Sequence, residues 1–120
     1  MSRGPDFRAL IAQHGSPLLL LDCAVVRRQY KSLQAALPGV GLFYALKPLP
    51  HPAVVAELRD LGGCFDVATS GEIKLVRNAG VAPERCIHTH PIKTDAEIRA
   101  ALRFAIRNFV VDNPDELRKF

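Results

Sequence analysis

At 120 residues the chain is long enough for one hydrophobic core and short for an enzyme. Apolar residues make up 48% and charged residues 23%, which excludes a disordered chain, and no stretch approaches the ~20 apolar residues of a membrane helix. The net charge of +4, from 16 basic and 12 acidic residues, is scattered and lacks the aromatic interleaving of a nucleic-acid patch, so it reads as a solvated surface.

The opening Met1-Ser-Arg-Gly-Pro-Asp6 lacks the apolar region of a signal peptide. Cys23, Cys64 and Cys86 are odd in number and show no C-x-x-C spacing, which predicts a reducing compartment and, with the missing signal, the cytoplasm. Cys64 and Cys86 sit in apolar runs and read as small buried side chains.

A short helix is expected over 6–14, stopping at Gly15, then an apolar strand from Pro17 to Asp22. Asp22 can cap a helix of about 23–36 that places Val26, Tyr30, Leu33 and Leu37 on one face and stops at Pro38-Gly39. Leu42-Phe-Tyr-Ala-Leu-Lys47 is apolar, too short for a helix, and ends on one cation, as a buried parallel strand does. Pro52 opens a helix of 52–61 with Val54, Leu58 and Leu61 inward, and Gly62-Gly63 ends it.

A second buried strand, 64–68, sets Asp66 among Phe65, Val67 and Ala68, before a helix of about 70–79 closed by Gly80. Strand 86–90 leads to helix 95–106 with Ile98, Leu102 and Ile106 inward, and strand 109–112 opens a last helix. Thr69-x-x-Glu72 and Thr94-x-x-Glu97 fit a capping box, and Asn113-Pro-Asp-Glu116 resembles one.

The strand ends fall at 47, 68, 90 and 112, steps of 21, 22 and 22 residues. Such a repeat predicts an α/β fold of parallel neighbours joined by right-handed crossovers, either a (β/α)₈ barrel or an open doubly wound sheet. Both place ligands at the carboxyl ends of the strands, where Lys47, Asp66, His90 and Asp112 lie.

Lys47 at the mouth of an apolar strand reads as a partly desolvated amine that can attack a carbonyl, or as a lysine snorkelling to water. Asp66, pointing opposite to Phe65 and Val67, is a fixed anion for a cation or a partner for a backbone or lysine group. Glu72 fits a cap better than a site. His88 and His90 share a face, but no third ligand stands at suitable spacing, so no metal is expected; His90 could still touch a ligand. Asp112 orders the loop into the last helix. No G-x-G-x-x-G or Walker pattern is present.

Phe43-Tyr-Ala-Leu-Lys47, Gly63-Cys-Phe-Asp-Val-Ala-Thr-Ser-Gly-Glu-Ile73 and Gly80-Val-Ala-Pro-Glu-Arg85, with His90-Pro-Ile-Lys93, resemble the ornithine/diaminopimelate/arginine decarboxylases, pyridoxal-phosphate enzymes of the alanine-racemase-like barrel type. The resemblance covers about 17–120 and implies the N-terminal half of a (β/α)₈ TIM-type barrel, since a whole barrel needs ~250 residues. It divides the chain into a strand and helix at 1–38 leading into the barrel and four βα units at 39–120. By resemblance, Lys47 would form the Schiff base with pyridoxal 5′-phosphate, Asp66 would lie beside the cofactor, Glu72 at the edge of the site, and His90 would be a further cofactor contact. Pro48-Leu49 and His90 depart from the residues usual there.

The implied activity is decarboxylation of a basic or diamino acid, the chemistry of polyamine biosynthesis, by a full-length homodimer, with the 120 residues alone inactive. Two further readings stay open: a non-catalytic relative that binds or regulates, and a self-sufficient flavodoxin-like sheet without cofactor. A half barrel would leave strand edges unpaired and an inner face, including Ala45, Val67 and Val110 or Val111, without an opposite wall, which predicts self-association.

Overall fold

The structure, a computed structural model, describes residues 4–120. Met1, Ser2 and Arg3, part of the stretch read as lacking a signal peptide, lie outside the described residues. Two helices come first, α1 (Phe7–His14) and α2 (Cys23–Ala36), and their N-caps are Asp6 and Asp22, whose carboxylates accept from the first free amides of each helix. Then βα units alternate: β1 (Phe43–Ala45), α3 (Pro52–Asp60), β2 (Cys64–Val67), α4 (Ser70–Asn78), β3 (Cys86–His88), α5 (Asp95–Arg103), β4 (Asn108–Phe109) and α6 (Pro114–Leu117).

The strands form one parallel sheet in the order β1-β2-β3-β4. Register sets Ala45 opposite Asp66, Asp66 opposite Ile87, and Val67 opposite His88. The strands are shorter than the apolar runs, but the pairing outlasts them: Leu46 N–H reaches Asp66 O at 3.1 Å and Val110 N–H reaches His88 O at 2.9 Å. Lys47 and Asp112 therefore stand in the loops just past the ladder.

The period-two alternation divides the sheet into two unlike faces. Phe65, Val67 and Cys86 are fully buried beneath the helices, packed with Leu46, Val54, Val55 and Val76. Cys64, Asp66 and Ala68 face the other way and are half-buried, and Ala45 is exposed. Val67 thus belongs to the helix-covered core and not to the inner face on which it was expected. Ala45, Val110 and Val111 are exposed. Of the cysteines, Cys86 is buried, and Cys23 and Cys64 are half-buried, all three free. Burial pushes the Cys86 thiol up to about 12, so it stays protonated and inert.

One device ends three of the helices. Gly62, Gly80 and Ala105 adopt φ of +79°, +74° and +68°, and the following amide bonds back to a carbonyl five residues earlier: Gly63 to Leu58, Val81 to Val76, Ile106 to Ala101. The first two stops carry the glycine that marks them. The third carries alanine, so α5 ends at Arg103, short of the expected 106; Ile106 is buried beyond the helix and Leu102 is 52% exposed instead of inward.

Two other expectations fail for want of a partner. Pro17 to Asp22 is no strand: no described strand pairs with it, and Leu19 is 87% exposed. Val26 and Tyr30 of α2 pack against the core, and Arg27 clasps Glu57 of α3, but Leu33 and Leu37 are exposed. There the helix runs past the outer edge of β1, leaving an apolar groove of about 690 Å³ lined by Leu33, Leu42, Phe43 and Leu49 among others.

Candidate cofactor site

The site is built at the carboxyl ends of β1, β2 and β3, on the face that the helices leave open. Lys47 follows β1 in a turn closed by Leu49 N–H on Leu46 O at 3.1 Å. The Tyr44 hydroxyl donates to Leu49 O at 3.0 Å, so Pro48 and Leu49 are held from beneath by the strand that precedes them. Burial raises the Tyr44 phenol, which keeps it a donor. Lys47 itself is exposed, not desolvated as its place after an apolar strand suggests, because the described residues put no wall across the open face.

Asp66 lies on β2 with Ala45 opposite and Lys47 two residues further on, so the carboxylate and the lysine share one end of the sheet. Its partner is one the sequence reading missed. Thr89, just past β3, places its hydroxyl 2.7 and 2.8 Å from the two Asp66 carboxylate oxygens. The only sequence signal for it was parity, since Thr89 is a polar residue two beyond Ile87, which stands opposite Asp66.

Glu72, 8% exposed in the first turn of α4, accepts the Ala68 amide at 2.6 Å, while Thr69 Oγ1 accepts the Glu72 amide at 3.2 Å. It thus ties down the loop after β2 and makes half of the expected capping box, with Ala68 in place of Thr69 as its target. At Thr94 and Glu97 the box is complete. The His90 Nδ1 accepts the Ile92 amide at 3.2 Å and so shapes the loop after β3; its Nε2 is left for other contacts.

Behind these loops lies a polar cluster that the sequence did not announce. Lys93 is 1% exposed, donates from Nζ to Val110 O at 2.5 Å, and sits 5.8 Å over the Phe120 ring. Its amide donates to Glu116, whose carboxyl is held below the usual range first by its hydrogen bond from Lys119. Loops β3–α5 and β4–α6 are thereby locked together. His88, fully buried and stacked on Phe109 at 5.8 Å, has no hydrogen-bond partner on either ring nitrogen among the described residues. Burial lowers its pKa and nearby Lys93 lowers it further, so it is neutral at pH 7. No group of three His, Cys, Asp or Glu side chains suited to a metal ion occurs among the described residues.

Residues 23–120 match the family described as pyridoxal-dependent decarboxylase, pyridoxal binding domain. The chain is 57% identical to lysine/ornithine decarboxylase of Vibrio vulnificus, solved with putrescine, and superimposes with a TM-score of 0.90 over 94% of this chain and 31% of that one. It is 32% identical to lysine/ornithine decarboxylase of Selenomonas ruminantium, over 95% of this chain and 29% of that one. It is also 42% identical to antizyme inhibitor 2 of Xenopus laevis, over 79% of this chain and 21% of that one. The chain therefore spans a third or less of the length of the relatives it matches. Its four βα units correspond to the N-terminal part of the decarboxylase barrel, with Lys47 and Asp66 both inside the matched stretch. On the extent of that match, the chain belongs to the pyridoxal-dependent decarboxylase family, with residues 23–120 matching its pyridoxal-binding domain.

Proposed function

We propose that the protein carrying this chain is a pyridoxal-phosphate-dependent decarboxylase of a basic or diamino acid, of the ornithine, lysine, arginine or diaminopimelate class. The observation that carries the reading is the register: Ala45 opposite Asp66 with Lys47 two residues on, an exposed amine and a fixed carboxylate at one end of one face. The names of the relatives, decarboxylases of lysine and ornithine among them, support the substrate class.

The residues present fit the aldehyde and ring of the cofactor. The Lys47 amine is open to solvent, and Ala45 beside it is a small exposed side chain that leaves room for a flat ring over the sheet. When bound, pyridoxal phosphate supplies an electron sink for the bond broken as carbon dioxide leaves. Lys47 provides the amine that holds it. Asp66 provides a negative charge on the same open face. Glu72 keeps the loop after β2 in place, and His90, in the loop after β3, is a further cofactor contact by the resemblance. The resemblance covers only the N-terminal half of a barrel, so the 120 residues alone are expected to be inactive. A cytoplasmic homodimer is the expected setting.

The protein that contains this chain should release carbon dioxide from at least one of L-lysine, L-ornithine, L-arginine and meso-diaminopimelate, and Lys47→Ala should abolish it. Turnover retained by Lys47→Ala would overturn the reading. A second reading, a non-catalytic partner that keeps the fold, draws on the 42% identity to a protein named as an inhibitor and on Pro48-Leu49 after the lysine. It predicts no absorbance band from lysine-bound cofactor, whereas the decarboxylase reading predicts one.

A further inference from the structure

We propose that Thr89 is a positioning residue that fixes the Asp66 carboxylate on the open face of the sheet, the face that Lys47 shares. The inference rests on the reading of Lys47 and Asp66 given above and adds a residue to it.

Thr89 lies one residue beyond β3, and the register of Val67 with His88 sets it beside Ala68. Alternation puts it on the open face with Ile87, which stands opposite Asp66, so Thr89 and Asp66 are diagonal neighbours across the β2–β3 ladder. The hydroxyl sits almost evenly between the two carboxylate oxygens, at 2.7 and 2.8 Å. Bonds of this kind, O–H to an ionised oxygen, are short and stronger than neutral ones. Among the described residues no other donor reaches the Asp66 side chain.

One shared proton leaves most of the carboxylate's lone pairs free, since an ionised carboxylate has about four acceptor positions. Thr89 therefore fixes the group without neutralising it. The negative charge is held at one place on the open face, next to β1, two residues past which Lys47 stands. A fixed anion there is a counter-charge for a positively charged group held at the carboxyl end of β1. Thr89 acts through Asp66 and needs no contact with the cofactor. Valine has nearly the same shape and no proton to give; serine keeps the proton.

The test uses the whole chain with Thr89→Val and Thr89→Ser and two readouts. The first is the carbon-13 resonance of the Asp66 carboxyl in the cofactor-free chain at neutral pH. The second is pyridoxal phosphate trapped by borohydride and mapped by mass spectrometry, scored as yield at Lys47 over yield at the exposed Lys31 and Lys74. Thr89→Val should move the resonance and lower the ratio about threefold to tenfold, the scale of one hydrogen bond to a charged group at a half-exposed site. Thr89→Ser should restore both. An unmoved resonance, or a ratio unchanged in Thr89→Val, overturns the proposal. If the wild-type chain shows no preference for Lys47, the lysine assignment itself fails, and the resonance alone then decides whether Thr89 fixes Asp66.

Discussion

Arg85 closes the lower end of the sheet, and its removal gives a stability change that can be worked out bond by bond. Its Nε donates to Gly63 O at 2.9 Å, Nη2 donates to Arg59 O at 3.0 Å, and Nη2 also contacts Gly63 O. Arg59 O belongs to the last turn of α3 and already receives the Gly62 amide at 3.0 Å, so it keeps a partner when Arg85 goes. Gly63 O does not, and Gly63 is buried. Leaving a buried carbonyl unpaired costs about 1–3 kcal/mol. Losing a cation from the end of α3 adds about 0.3–1 kcal/mol. Because Arg85 is half-exposed, the lower part of each range applies, and Arg85→Met should cost about 2 kcal/mol. Arg85→Lys keeps the charge but not the planar fork, so it can satisfy one carbonyl and should lose about half as much. Urea unfolding followed by far-ultraviolet circular dichroism, at one fixed protein concentration and with equal slopes, measures both. A loss below about 0.5 kcal/mol for Arg85→Met, or an equal loss for Arg85→Lys, would refute the bond-by-bond account.

His88 gives a pH signature: its folded-state value is depressed by burial and then by Lys93, with His90 also lowering it and Glu97 and Asp66 opposing. The unfolded chain takes up the proton first, so stability is full above about pH 6.5 and falls as pH drops from there through the lower folded value. His88→Phe, which keeps the stack on Phe109, should lose less stability between about pH 7 and pH 5 than the wild type; equal losses would remove His88 as the cause. Ala105→Gly should stabilise the chain by about 1 kcal/mol, since glycine takes a φ of +68° without the Cβ clash that alanine meets; a loss would show that α5 does not end by the left-handed stop seen here. The outer edges of β1 and β4 have no strand partner among the described residues, and Phe43, Val110 and Val111 are exposed, so the chain alone should sediment heavier than its 13.2 kDa. A monodisperse monomer would mean that these edges are closed in some other way.

The βα repeat was legible because its signals are local. Buried parallel strands read as short apolar runs, and Asp22, Pro52, Gly62 and Gly80 mark helix ends by their own chemistry. The α5 stop was not legible, since Ala105 adopts a glycine's conformation under the pull of Ile106, which the core buries. Pro17 to Asp22 has the composition of a strand, but a strand also needs a neighbour, and composition carries no information about that. In the site, Lys47 and Asp66 were visible as single polar residues in apolar runs. Thr89 was not, because its bond to Asp66 depends on cross-strand register, which is set between elements and not within either. Lys93 looks like a surface lysine until α6 and Phe120 close over it.

Everything proposed for the site turns on Lys47 as the residue that takes pyridoxal phosphate. Wild-type chain incubated with the cofactor, reduced with borohydride, digested and mapped by mass spectrometry tests it directly. The adduct should concentrate on Lys47, well above Lys31, Lys74, Lys93 and Lys119. An adduct spread evenly over the exposed lysines, or centred on any residue other than Lys47, would contradict it.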